Sequence, residues 1–208
     1  MTTAIIGVGA IGTVLAANLV RGGEDVVLAS RGLEHAQAVA AEVGARAATV
    51  DDAIAAGENV ILAVWFDVAK DLLVRHAGRL DGKTIIDPSN PVVLNGDGGF
   101  TKTIPADESA GMVLAALAPA GAWFVKAFGT QSAQTLAGSS GRRPPTVQFY
   151  ATDDAEAAAA VAELIRAGGH SPVLVGGIDR SLRIEVFGDL HESTLGAAVT
   201  EDEAKKLL

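Results

Sequence analysis

Residues 3–21 read TAIIGVGAIGTVLAANLVR. Thr3–Val8 is a short apolar run broken by glycine, and Ala10–Arg21 spaces its apolar residues along one helical face before Gly22-Gly23 stops it. The stretch is therefore strand, tight turn, helix. Within it Gly7, Val8, Gly9, Ala10, Ile11 and Gly12 spell G-x-G-x-x-G. The first glycine permits the turn, the second admits a pyrophosphate against the backbone, and the third lets the helix lie close on the strand. The pyrophosphate then rests on the helix N-terminus, where unpaired amides point at it. A glycine triplet alone is a weak sign in a glycine-rich chain, and its place between strand and helix makes this one a dinucleotide loop.

Working outward, the alternation continues. Val26–Ala29 reads as a strand, Leu33–Val43 as a helix closed by Gly44, Arg46–Val50 as a short strand, Asp51–Ala56 as a helix and Asn59–Val64 as a strand. Asp67–Leu80 reads as one helix, Lys83–Asp87 as a strand, and Pro88 to Gly99 as a long loop. Ser109–Ala118 is helical. Trp123–Phe128 and Val147–Thr152 are strands, separated by a helix near Ser132–Leu136 and a flexible Gly138–Pro145 segment; Ala155–Ala167 is an Ala-rich helix and Pro172–Val175 a last strand. Parallel neighbours need a crossover that is usually helical, so this order predicts an α/β, Rossmann-type, doubly wound and mainly parallel sheet. Residues 1–177 form the dinucleotide-binding domain. Residues 178–208 are expected as a small C-terminal helical segment packed on it beside the cofactor cleft.

The totals agree with one compact domain. The chain has 208 residues, 49% hydrophobic, with 24 glycines and only 4% aromatics, which suits helices packed closely on a parallel sheet. A formal charge of −9 without a Lys/Arg run argues against nucleic acid as a partner. The absence of cysteine removes disulfides and thiolate chemistry, and no cluster of ligands at useful spacing suggests a metal. No run of 18 apolar residues points to a membrane, and a cytoplasmic location is expected by default.

The dinucleotide is specified at the end of the second strand, where an NAD site usually presents a carboxylate to the ribose hydroxyls. Here the residues are Leu28-Ala29-Ser30-Arg31. Ser30 can donate to a 2′-phosphate and Arg31 can pair with it, so NADP(H) is the expected cofactor. His35, one turn on, reads as an exposed helix position. Ligands of such sheets lie outside the carboxyl ends of the strands, which brings Ala63, Val64 and Trp65, then Asn90 and Pro91, then Ala127 into the cofactor-binding set; Ser89 and Asn90 offer hydrogen bonds in a turn that reads equally well as a rigid loop. Trp65-Phe66 reads equally well as cofactor wall or core. No residue is singled out as catalytic: Tyr150, the only tyrosine, has no evident partner, and His76 and His170 read as surface residues at helix ends.

With Gly7–Gly12, Ser30-Arg31, Asp87–Pro91 and Lys126–Thr130 in this order, the chain resembles the NADPH-dependent F420 reductase family as far as about Gly177. The resemblance implies reversible hydride transfer between C4 of NADPH and C5 of the deazaflavin coenzyme F420, or a related flavin as second substrate. The NADPH modules of membrane ferric reductases are similar too. Family members typically carry Lys-Ala-Phe-Asn-Thr at the sixth strand, whereas this chain has Gly129 at the Asn position, losing a polar side chain beside the acceptor.

Two other readings stay open. NADPH could reduce a small carbonyl or imine with His191 or Asp189 as proton donor, or the chain could be a non-catalytic NADP(H) sensor. In Gly176–His191 the expectation is a solvated helix face, with Arg180, Arg183 and His191 facing Glu185 and Asp189. A homodimer is expected because C2 pairs are the commonest assemblies and the short apolar tail could cover a partner's cleft.

Overall fold

The computed structural model describes residues 1–96 and 98–208; Asp97, within the Pro88–Gly99 loop read from the sequence, lies outside the described residues. The first half runs β1 (Thr2–Ile6), α1 (Ala10–Arg21), β2 (Asp25–Ala29), α2 (Leu33–Val43), β3 (Arg46–Ala47), α3 (Val50–Ala56), β4 (Asn59–Leu62), α4 (Phe66–Arg75), α5 (Ala77–Leu80) and β5 (Thr84–Asp87). There follow β6 (Val92–Leu94), β7 (Phe100–Lys102), α6 (Ala110–Ala115), β8 (Trp123–Ala127), α7 (Ala133–Ser139), β9 (Val147–Ala151), α8 (Ala155–Ala167) and β10 (Ser171–Leu174). A 3₁₀ helix over Ile178–Ile184 and the single turns α9 (Glu192–Leu195) and α10 (Glu201–Ala204) complete the chain.

The main sheet has the order β10-β9-β8-β5-β4-β1-β2-β3. Its order reverses between β1 and β4, the switch point at which a Rossmann fold opens its crevice. Alternate side chains of each strand face opposite layers. Ile5, Leu28, Ile61, Ile86 and Val125 pack with α1, α2, α7 and α8, while Ile6, Val27, Leu62 and Ile85 pack with α3, α4, α5 and α6. Burial on both faces is why these strands read as continuous apolar runs. A third cluster, Phe149, Ile184, Leu190 and Ala204, fastens the C-terminal segment to β9.

The structure departs from the sequence reading in three elements. β9 runs antiparallel to β8, and β10 follows β9 in parallel. Between β8 and β9 stands α7, only seven residues long. The chain does not cross back over the sheet there but re-enters it from the end at which β8 finishes, so β9 runs the opposite way. Asp67–Leu80 is two helices meeting at His76, which ends α4 and starts α5. The long loop contains β6, which pairs antiparallel with β7.

Candidate functional site: the carboxyl ends of the parallel strands

Three loops meet at the switch point. The Gly7 amide donates to the Ala29 carbonyl at 2.8 Å, placing the glycine loop against Ser30. A Cβ added to Gly7, whose φ is +111°, would run into the Ala63 carbonyl, so Ala63 and Val64 lie directly beside the loop. A Cβ on Gly12 would strike the Gly7 carbonyl, whereas one on Gly9 would find nothing within 4 Å. The three glycines thus do different work: Gly7 turns, Gly12 allows the helix to seat, and Gly9 keeps a face open.

Side-chain capping differs among the helices of the fold. Thr49, Ser109, Ser132 and Asp154 cap α3, α6, α7 and α8 with side-chain oxygens. The N-termini of α1, α2 and α4, which follow β1, β2 and β4, have no side-chain cap. Their first amides remain free to receive anionic groups, and Gly9, Ala10, Ile11 and Gly12 offer that end of α1 to a pyrophosphate.

At the second strand Arg31 is exposed and enters no ion pair among the described residues. The Ser30 hydroxyl donates to the Gly32 carbonyl at 2.7 Å, so it orders the entry to α2. The Trp65-Phe66 pair divides. Trp65 is 58% exposed at the start of α4, while Phe66 is 4% exposed and belongs to the core. Val8 and Ala127 are buried in the core layer that packs with α1.

The other half of the site contains what sequence reading missed. Lys126, 1% exposed, extends its ammonium to Asp87 Oδ2 at 2.6 Å and to the Ser89 carbonyl, with Glu185 Oε1 at 3.9 Å. Asp87 also accepts from the Ser89 amide. Glu185, which is fully buried, accepts from the amides of Ala110 and Gly111 at 2.9 and 2.8 Å and from the Ser109 hydroxyl at 3.0 Å. The signal for the Asp87–Lys126 pair was present: each charge occurs in an otherwise apolar strand, and sheet pairing puts the two in register. Nothing local marks Glu185.

Asn90 is held at both ends of its amide. Its Nδ2 donates to the Gly129 carbonyl at 2.9 Å and its Oδ1 accepts from the Val186 amide at 2.7 Å. Pro91 is buried behind it, and the Ser89 hydroxyl is buried with no partner among the described residues. Gly129 packs against Pro88, whose carbonyl would lie 2.7 Å from a Cβ there.

The Gly176–His191 segment is not the solvated face expected. Arg183 pairs with Asp189 at 2.7 Å and Arg180 with Asp179, while Glu185 faces inward. His191 is buried, and its Nδ1 accepts from the Ser193 amide at 3.1 Å. Burial holds its pKa below the ordinary range. His170 is likewise buried, contrary to the surface position read for it, because the turn after α8 folds it against Thr146. Tyr150 lies in the core, its phenol pushed up by burial.

A groove of about 660 Å³ lies elsewhere, lined by Met1, Thr84, Trp123, Tyr150 and α8. Thr84 and Trp123 begin their strands, so it opens at the end of the sheet opposite the glycine loop. Among the described residues no group of three or more His, Asp or Glu could hold a metal ion, and no helix is long and apolar enough to cross a membrane.

The comparisons agree with this geometry. The chain superimposes on a hypothetical protein of Sinorhizobium meliloti with TM-score 0.81 and 28% identity, covering 92% of this chain and 93% of that one. A protein of Arthrobacter sp. FB24, provisionally named an F420-dependent NADP-reductase, gives 0.76 and 23% identity over 94% and 95%. A reductive aminase of Aspergillus terreus, solved with NADPH4, cyclohexanone and allyl amine, gives 0.66 and 22% over 89% of this chain and 57% of its own length. No curated protein matches. Residues 2–91 match the family described as NADP oxidoreductase coenzyme F420-dependent, so β1 to the Asn90-Pro91 turn carries the sequence pattern of NADP-dependent oxidoreductases.

Proposed function

We propose that this protein binds NADP(H) across the switch point and passes a hydride between its nicotinamide and a ring-bearing acceptor, coenzyme F420 or a related flavin. The observation that carries the reading is the open backbone at Gly9 on the uncapped α1, with the exposed Arg31 on the adjoining strand end. Gly9 to Gly12 would seat the pyrophosphate, Arg31 would meet the 2′-phosphate, and Ala63, Val64, Trp65 and Ala127 would line the rest. The nicotinamide supplies the hydride when bound. What the chain then needs to provide is orientation and exclusion of water rather than an acid or base. The family match over residues 2–91 supports F420 as acceptor.

The carbonyl or imine reading requires a proton donor. Asp189 is paired with Arg183, and His191 is buried with its Nδ1 on the Ser193 amide, which disfavours it. We place the protein in the cytoplasm and as a homodimer; light scattering that returns the monomer mass removes the latter.

The test is anaerobic absorbance spectroscopy with NADPH or NADH, offering F420 and then FMN. Bleaching at the acceptor's band with NADPH preferred is expected, and Arg31→Ala should reduce that preference roughly ten- to hundredfold, the worth of one charge-assisted hydrogen bond. An Arg31→Ala protein with unaltered preference removes the assignment of the 2′-phosphate to this residue.

A further inference from the structure

Two residues other than glycine have backbone in the left-handed region among the described residues, and both are phenylalanines: Phe128 at φ +64° and Phe187 at φ +74°. Such conformations disfavour a residue with a Cβ and persist only where the surroundings enforce them, which occurs most often at ligand sites. They lie 59 positions apart in sequence, yet both flank Asn90. Its amide nitrogen holds the carbonyl of Gly129, the residue after Phe128, and its amide oxygen holds the amide of Val186, the residue before Phe187.

The two aromatics differ in fate. Phe128 is 1% exposed and fills the core. Phe187 is 57% exposed, a large apolar ring held in a strained conformation with little packing in return. Its segment is fastened on both sides: Glu185 is fixed by Ser109, Ala110 and Gly111, and a Cβ on Gly188 would run into the carbonyls of Leu182 and Arg183. The frame is rigid and the ring it presents is free. Through Asn90 that frame sits just beyond β5, which adjoins β4 and the candidate nicotinamide wall Ala63–Trp65.

We propose that Phe187 is a specificity-determining residue that offers its face to the ring of the hydride acceptor, and that Asn90 is the positioning residue that holds it there. The inference rests on the reading of a ring-bearing acceptor given above. An aromatic face selects a planar heterocycle by stacking and gives little to a small carbonyl.

The experiment follows the fluorescence of F420, and separately of FMN, on titration into protein saturated with NADP+, which permits binding without turnover. Phe187→Leu and Phe187→Gly should each weaken acceptor binding about five- to tenfold and leave NADPH binding within twofold. Phe187→Gly relieves the left-handed strain, so its melting temperature should not fall; a merely structural role would give lower melting and unchanged acceptor binding. Asn90→Ala should weaken the acceptor as well, and the Asn90→Ala/Phe187→Leu double variant should be no weaker than Phe187→Leu alone, because Asn90 acts through the ring. Acceptor binding within twofold of the parent in both Phe187 variants overturns the inference. An acceptor that is bound in this Phe187-dependent way but never bleached by NADPH overturns only the hydride-transfer reading, and a parent protein that binds neither F420 nor FMN overturns both.

Discussion

Single atoms decide what each glycine of the loop does. Gly12 has no room for a Cβ because the Gly7 carbonyl occupies its place, while Gly9 has nothing within 4 Å. Gly12→Ala should therefore lower stability by roughly 1–3 kcal/mol, the range for overpacking, measured by urea unfolding of the ligand-free protein. Gly9→Ala should unfold like the parent yet lose most of its NADPH affinity, since the methyl group occupies the approach of the pyrophosphate. Equal unfolding of the two variants would show that the glycines do not divide the work in this way. The triplet was legible in the sequence, but the division of labour required the positions of Ala63 and the Gly7 carbonyl.

Between elements, the buried charges of β5, β8 and the C-terminal segment set the geometry. Asp87 ends β5 and pairs in register with Lys126 of the adjacent β8, and Glu185 arrives from the far end of the chain to bind the amides at the start of α6. Removing the ammonium leaves two carboxylates buried without it. Lys126→Met should destabilise the fold by about 3–5 kcal/mol, seen as a lower urea midpoint at pH 7. An unchanged midpoint would mean that the amides alone satisfy both carboxylates. Local pattern did locate the helices well: Ala155–Ala167 has the extent read from its sequence, and Asp154 caps it. It failed where a residue's partner lies on another element, as when Glu185 was read as a solvated neighbour of Arg183.

At the scale of the molecule, burial of histidine links the fold to pH. Desolvation lowers the pKa of His170 from 6.5 to about 4. A histidine depressed in the native state stays neutral there while the unfolded chain takes up the proton. Its contribution is thus fully present above about pH 6.5 and is lost as pH falls toward 4, roughly 3 kcal/mol in all. The loss of stability between pH 7 and 4.5, followed by urea unfolding, should be smaller in His170→Gln than in the parent by a large part of that amount. Parallel pH profiles for the two proteins would show that the ring is protonated without unfolding.

By itself the sequence determined the alternation of strands and helices, the dinucleotide loop and the Ser30-Arg31 strand end, because apolar periodicity and glycine geometry act over a few residues. Tertiary structure alone decided the reversal of β9, the burial of Lys126, Glu185, His170 and His191, and the joining of Gly129 and Val186, the neighbours of Phe128 and Phe187, by Asn90. Those features depend on which distant segments share an interior, and in that interior a charge or an imidazole must find its partner from whatever element the fold brings beside it.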